Sequence, residues 1–222
     1  MRQLLIITSA IFFVACQTLE PLENYTFKKE KLQLPYLIPE ADLNNINLAM
    51  HYNETASTEA PKYTELSYFN IYKNYDMEFR FRKEPRVNDL VRFYLLELKK
   101  NMVLDTANSY GKVQLRIIEF KEKRNNGLMF ANLYLMGIPS LFGVPFNIID
   151  IYMQINLNIT DINGDIKEIY LGDGYAREHM AMYWGYGADA YRSATINAFR
   201  EALYEALSKL ESDQKNIFNT LK

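Results

Sequence analysis

Between Ile151 and Thr160 apolar and polar positions alternate without exception: Ile151, Met153, Ile155, Leu157 and Ile159 against Tyr152, Gln154, Asn156, Asn158 and Thr160. A period of two predicts a β-strand with one face in a core and the other wet or polar. Asp161-Ile162-Asn163-Gly164-Asp165 follows, where Asn-Gly offers the two positive φ values of a tight turn, and Ile166 to Leu171 (IKEIYL) then completes an antiparallel hairpin. Lys112 to Phe120 (KVQLRIIEF), after Gly111, has a strand pattern too. The aromatic, β-favouring run from Leu66 to Phe81 predicts one or two more strands, with a break near Lys73-Asn74.

Elsewhere the period lengthens. After Pro85, Leu90, Val91, Tyr94, Leu95, Leu98 and Met102 recur at three and four residues, which predicts a helix capped by Asn88 or Asp89. From Ala188 to Leu210, Ala194, Ala198, Ala202 and Ala206 stand four apart beside Leu203, Leu207 and Leu210, an amphipathic helix with a small-residue seam that lets it lie close on a neighbour. Gln17 to Glu65 is irregular and interrupted by Pro21, Pro35, Pro39 and Pro61. It reads as a tether and extended arm without a helix, in which LQLPYLIP and INLAM add an edge strand or lie over the domain. The order of elements predicts an α+β fold, a mixed or mainly antiparallel sheet with two helices on one face, in a single domain over residues 66–222. Parallel strands on either side of the first helix would make its crossover right-handed.

A chain of 222 residues with 49% hydrophobic and 14% aromatic content can bury a sizeable core. Its formal charge of -2 supplies no field for nucleic acid, and basic residues alternate with acidic ones in LELKKN and FKEKRN. Cys16 is the single cysteine, which excludes an internal disulfide and a multi-cysteine metal site. The chain opens MRQLLIITSAIFFVACQ: one positive charge at Arg2, an apolar run from Leu4 to Val14 too short to span a bilayer comfortably, then Ala15 before Cys16. These are the three parts of a secretory signal.

Phe13-Val14-Ala15-Cys16 resembles a bacterial lipobox, with Phe13 a less common residue at its first position. The resemblance covers only this leader. It implies that residues 1–15 are a signal peptide and that Cys16 becomes the lipidated first residue of a mature chain whose residues 16–65 form the tether and arm. It further implies a protein of the bacterial cell envelope, with Gln17 after the cysteine matching outer-membrane sorting in lipoproteins of the enterobacterial type. Two or three acyl chains hold a protein stably on a membrane where one does so marginally. The whole chain is loosely similar to small accessory outer-membrane lipoproteins of secretion and envelope-assembly systems.

Chemistry is sparse. Only His51 and His179 could act as a base near neutral pH, and neither belongs to a metal-ligand spacing. No Gly-x-Ser-x-Gly or phosphate-loop pattern occurs, so the chain reads as a non-enzyme with no cofactor and no metal. Candidate binding residues lie in two stretches. In the first, Tyr175, Tyr183, Trp184 and Tyr186 stand among Gly172, Gly174, Gly185 and Gly187, either closing the core under the last helix or stacking on a sugar or partner peptide. The second is NNGLMFANLYLMGIPSLFGVPFNII, Asn125 to Ile149, which has no charge in a chain that is 23% charged. Asn132, Gly137-Ile138-Pro139 and Gly143-Val144-Pro145 break any spanning helix there. Leu128 to Met136 reads as a strand and Gly137 to Pro145 as an apolar turn, leaving Leu141, Phe142 and their neighbours Ile138, Val144 and Phe146 either tucked over the core or exposed toward lipid or a partner. The sequence thus predicts a tethered interaction module with an envelope protein partner, or else a binding lipoprotein for a glycan, lipid or small molecule, such as an auxiliary to an envelope transporter.

Overall fold

The alternating strands build a four-stranded sheet of order β1-β2-β3-β4. In this computed structural model, residues 21–25, 37–57, 83–101, 109–124, 127–180 and 188–221 are described. The strands are β1 Leu37–Ala41, β2 Gly111–Arg124, β3 Asn147–Asp161 and β4 Ile166–Met180. The helices are α1 Leu43–Ser57, α2 Lys83–Asn101, α3 Gly127–Tyr134, α4 Ile138–Leu141, α5 Ala188–Ser212 and α6 Gln214–Leu221. β1 runs parallel to β2, whereas β2, β3 and β4 pair antiparallel. The fold is α+β with a mixed sheet.

Every second residue of β3 from Ile149 to Ile159 is fully buried. Register places Met153 between Phe120 and Gly174, and Leu157 between Leu115 and Tyr170, so three strands share one core face. Burying each such aliphatic side chain contributes roughly 1.5–3 kcal/mol. The hairpin after β3 uses one positive φ rather than two. Gly164 has φ 91, while Asn163 keeps an ordinary φ. Gly164 N–H donates to Asp161 O at 3.1 Å, and Asp161 Oδ1 accepts from the N–H groups of Asn163 and Asp165, both at 2.9 Å. The Asp161 side chain therefore closes a longer loop in place of the Asn-Gly two-residue turn.

β4 runs on past the expected end at Leu171 to Met180, through Gly172 and Gly174. The reason lies in α5, whose Ala194, Ala198, Ala202 and Ala206 are fully buried. A Cβ at Gly172 would collide with the Ala202 carbonyl, and one at Gly174 with the Ala198 carbonyl, so these glycines are where strand and helix backbones meet. The next helix row, four residues apart from Ser193 to Asp213, binds β4 along its outer edge. Ser193 Oγ and Asn197 Nδ2 donate to Glu178, both at 3.1 Å. Glu201 accepts from Tyr175 N–H and Glu205 from Asp173 N–H, both at 2.9 Å. Lys209 Nζ donates to Leu171 O at 2.8 Å, and Asp213 accepts from Tyr170 Oη at 2.7 Å. Glu201, Glu205 and Lys209 of α5 thus occupy backbone groups of β4 that a further strand would need.

α2 opens at Lys83, so Asn88 and Asp89 lie within the helix and cap nothing. Pro85 falls in the first turn, where a backbone N–H has no intrahelical partner, and so belongs to the helix instead of preceding it. Asp89 pairs with Arg192 of α5 at 2.5 Å. Phe93 meets Phe199 edge-on with ring centroids 6.1 Å apart, and the buried Tyr94 donates its hydroxyl to Val113 O at 2.8 Å. Burial raises the Tyr94 hydroxyl well above its ordinary pKa.

The stretch expected as an arm without a helix contains α1. Asp42 Oδ1 caps it by accepting from Asn45 N–H at 3.0 Å, and Ile46 and Met50, four residues apart, are buried. Asn45 Oδ1 accepts from Ile117 N–H at 2.8 Å, taking over β2's edge where β1 stops. Pro39 does sit in an edge strand. The predicted strands over 66–81, and with them the proposed crossover, lie outside the described residues.

Candidate functional site

Residues 127–146 leave the sheet between β2 and β3. Leu128 to Met136 forms a helix and turn where a strand was expected. The run has no β-branched residue, and leucine, methionine and alanine are strong helix formers, so propensity wins where no alternation exists. The helix ends in a left-handed reversal: Met136 has φ 53 and Gly137 φ 79. Gly137 N–H donates to Asn132 O at 2.7 Å and Met136 N–H to Leu133 O at 3.1 Å, the paired bonds of a Schellman cap. Glycine usually takes the position held here by Met136, and a side chain in that conformation costs about 1–2 kcal/mol.

The lobe is inverted relative to a small core. Asn132, 1% exposed, is its hub: Nδ2 donates to Leu128 O at 3.0 Å and Pro145 O at 3.2 Å, while Oδ1 accepts from Ser140 Oγ at 2.7 Å. The large apolar side chains point outward instead. Met136 is 92% exposed, Tyr134 88% and Phe142 83%, with Phe130, Leu133 and Ile138 also exposed. Of the two alternatives for the tip, exposure holds for Ile138, Phe142 and Val144; Phe146 is half-buried. Leu141 lies in α4, and its side chain is outside the described residues.

Tyr175 is half exposed on β4, on the sheet face away from the helices. A chain of polar contacts runs over that face. Asp150 accepts from Tyr175 Oη at 2.5 Å and from Arg177 Nε at 2.6 Å. Asp173 accepts from Tyr152 Oη at 2.7 Å and Gln154 Nε2 at 2.9 Å. Arg177 holds the Asp150 carboxyl below its usual range against the opposing effect of burial, with the Tyr175 hydroxyl adding to the effect. The hydrogen bond to Asp173 pushes the Tyr152 hydroxyl up to about 12, and that to Asp150 raises Tyr175. The Asp150 carboxyl and the Tyr152 and Tyr175 hydroxyls are thus shifted away from neutral pH, and the hydrogen bonds of the cluster order this surface. His179 is exposed on β4. Tyr183, Trp184, Tyr186 and Cys16 lie outside the described residues, as does the side chain of His51.

No protein-family model matches this chain, and no curated protein matches it either.

Of the sheet edges, β4 is occupied by the α5 row, and β1 is five residues long and carries Pro39. Neither suits strand addition. A shallow concavity beside α3 has Phe130, Ala131, Leu133, Tyr134 and Leu135 as its described lining, residues of one helix and the turn after it. Among the described residues no group of three or more His, Cys, Asp or Glu could hold a metal ion, and no helix is long and apolar enough to cross a membrane. The sequence located the uncharged stretch, but it missed Asn132 as the hub that lets this stretch fold outward. A lone asparagine within an apolar run was the available signal.

Proposed function

We propose that this protein is a non-catalytic, membrane-tethered accessory module of the bacterial cell envelope, acylated at Cys16, which acts by contact with other envelope components. One observation carries this reading: the lobe over 127–146 gathers Phe130, Leu133, Tyr134, Met136, Ile138 and Phe142 into one exposed apolar surface without a charged residue. An interaction module presents an exposed apolar patch, whereas a binding protein for a small ligand encloses its ligand in a cleft. A protein partner would use the sheet face away from the helices, where Tyr175 is exposed beside the Asp150–Arg177 pair and Ile169 and Leu171 are exposed farther along β4. Tyrosine suits such a role because it combines large contact area with a polar tip. Affinity purification of the membrane-anchored protein, with mass spectrometry of whatever accompanies it, tests this. Recovery of a specific envelope protein, reduced by Tyr175→Ala, is expected. Recovery of a lipid or glycan with no protein partner would instead favour the ligand-binding reading.

A further inference from the structure

We infer that the 127–146 lobe dips into the acyl boundary of a lipid bilayer, giving the protein a second membrane contact beside its lipid; this rests on the tethered reading proposed above. Three observations favour lipid over a protein as the occupant. First, no residue between Arg124 and Asp150 is charged. A charged side chain is costly in hydrocarbon, whereas a protein interface tolerates charges at its rim.

Second, the backbone donors of the tip are largely paired within the lobe. The N–H groups of Leu135, Met136, Gly137, Ile138, Ser140, Phe142, Gly143 and Val144 all donate within the lobe, and Pro139 and Pro145 have none to place. Its buried polar side chains, Asn132 and Ser140, bond to each other. A bilayer requires this because it offers no hydrogen-bond partner. A protein interface commonly places about one hydrogen bond in each 100–200 Å², and this tip presents few free donors for them.

Third, the ends of the lobe match the zones of a membrane surface. Methionine and phenylalanine stand at the tip, Tyr134 is exposed nearby as an interfacial aromatic, and Lys123 is exposed on the β2 end at its base together with Lys121, which pairs with Glu119 at 2.6 Å. α3 has eight residues, about 12 Å at 1.5 Å per residue, which suits an insertion of about 5–10 Å and falls short of a span. The left-handed Met136 fits the same account. Its left-handed backbone holds an apolar side chain that is 92% exposed.

The test uses full-length acylated protein in phosphatidylethanolamine–phosphatidylglycerol vesicles, with Met136→Cys or Phe142→Cys carrying an environment-sensitive fluorophore. Leu171→Cys on the open sheet face is the reference. Blue-shifted emission at 136 and 142, quenching by lipids spin-labelled on their acyl chains and a severalfold loss of quenching by iodide are expected, with 171 unchanged. Labels at 136 and 142 as open to iodide as the label at 171 would overturn the proposal, as would protection that appears only when a protein partner is added. The parent chain has one cysteine, so dye uptake by the parent would reveal a free Cys16 and defeat the tether. Acyl-chain quenching at 136 and 142 would still decide the lobe.

Discussion

Replacing Glu201 and Glu205 by alanine should both weaken the domain and open its β4 edge. Each carboxylate accepts one outward N–H of β4 at 2.9 Å, from Tyr175 and Asp173 respectively, and Glu205 also holds Lys209 at 2.6 Å. A hydrogen bond to a charged group is worth about 1.5–3 kcal/mol in favourable sites, but these are exposed, and water replaces much of what is lost. About 1 kcal/mol for each bond is the reasoned value, and the half-exposed Glu205–Lys209 pair adds at most a few tenths. The double variant should therefore lose about 2 kcal/mol, roughly 1 M in urea midpoint at a slope near 2 kcal/mol per molar. Freed N–H groups of Asp173 and Tyr175 on a 15-residue edge strand are also a template for pairing with another chain. Size-exclusion chromatography with light scattering should show larger species than the parent at equal concentration. Glu201→Gln with Glu205→Gln keeps an acceptor oxygen at each site and should stay close to the parent in size. An alanine variant with unchanged midpoint and unchanged mass would refute the edge-covering role, and a glutamine variant as disturbed as the alanine one would show that charge, not the bonds, matters.

Gly174→Ala places a Cβ against the Ala198 carbonyl, so α5 must lift; a loss of at least about 2 kcal/mol in urea unfolding is expected. Asn132→Leu removes all three bonds of the lobe's hub and leaves Ser140 Oγ buried without that partner, which should cost about 1–3 kcal/mol and raise amide exchange over 127–146. Phe142→Ser, at an 83% exposed position, should change stability by less than about 0.5 kcal/mol, which separates a contact role from a folding role. Asp150, Asp161 and Glu205 all have carboxyl groups held below their ordinary range, first by Arg177, Lys167 and Lys209 respectively. Groups depressed in the folded state stabilise it above the unfolded value, near 4, and lose that contribution as pH falls through the folded value. Urea midpoints should hold from neutrality to about pH 5 and drop below pH 4.

The sheet was legible where one physical rule acted alone. The alternation from Ile151 to Thr160 needs no tertiary partner to be recognised, and the fully buried odd positions follow from it. β4 beyond Leu171 was hidden because its core-facing residues are Gly172, Gly174 and Ala176, chosen for close approach to α5; low hydrophobicity there reflects packing, and reads locally as a loop. The alanine seam at 194, 198, 202 and 206 was visible as a packing row, but its polar neighbours Glu201, Glu205 and Lys209 have meaning only once β4 lies beside them. α1 was concealed by its surroundings of prolines and by weak amphipathicity, with Ile46 and Met50 its buried contacts and Asp42 a capping signal that could have been read. For the candidate site, absence of charge singled the segment out in the sequence, whereas its outward folding depends on Asn132 meeting Ser140 and Pro145 across the lobe.

The tether underlies the proposed function, and the mass of the mature N-terminus tests it most directly. Intact and peptide mass spectrometry of protein extracted from envelope membranes should find a chain that begins at Cys16 and carries a thioether-linked diacylglycerol, with the first fifteen residues absent. A chain retaining residues 1–15, or one with an unmodified Cys16 thiol, would contradict it.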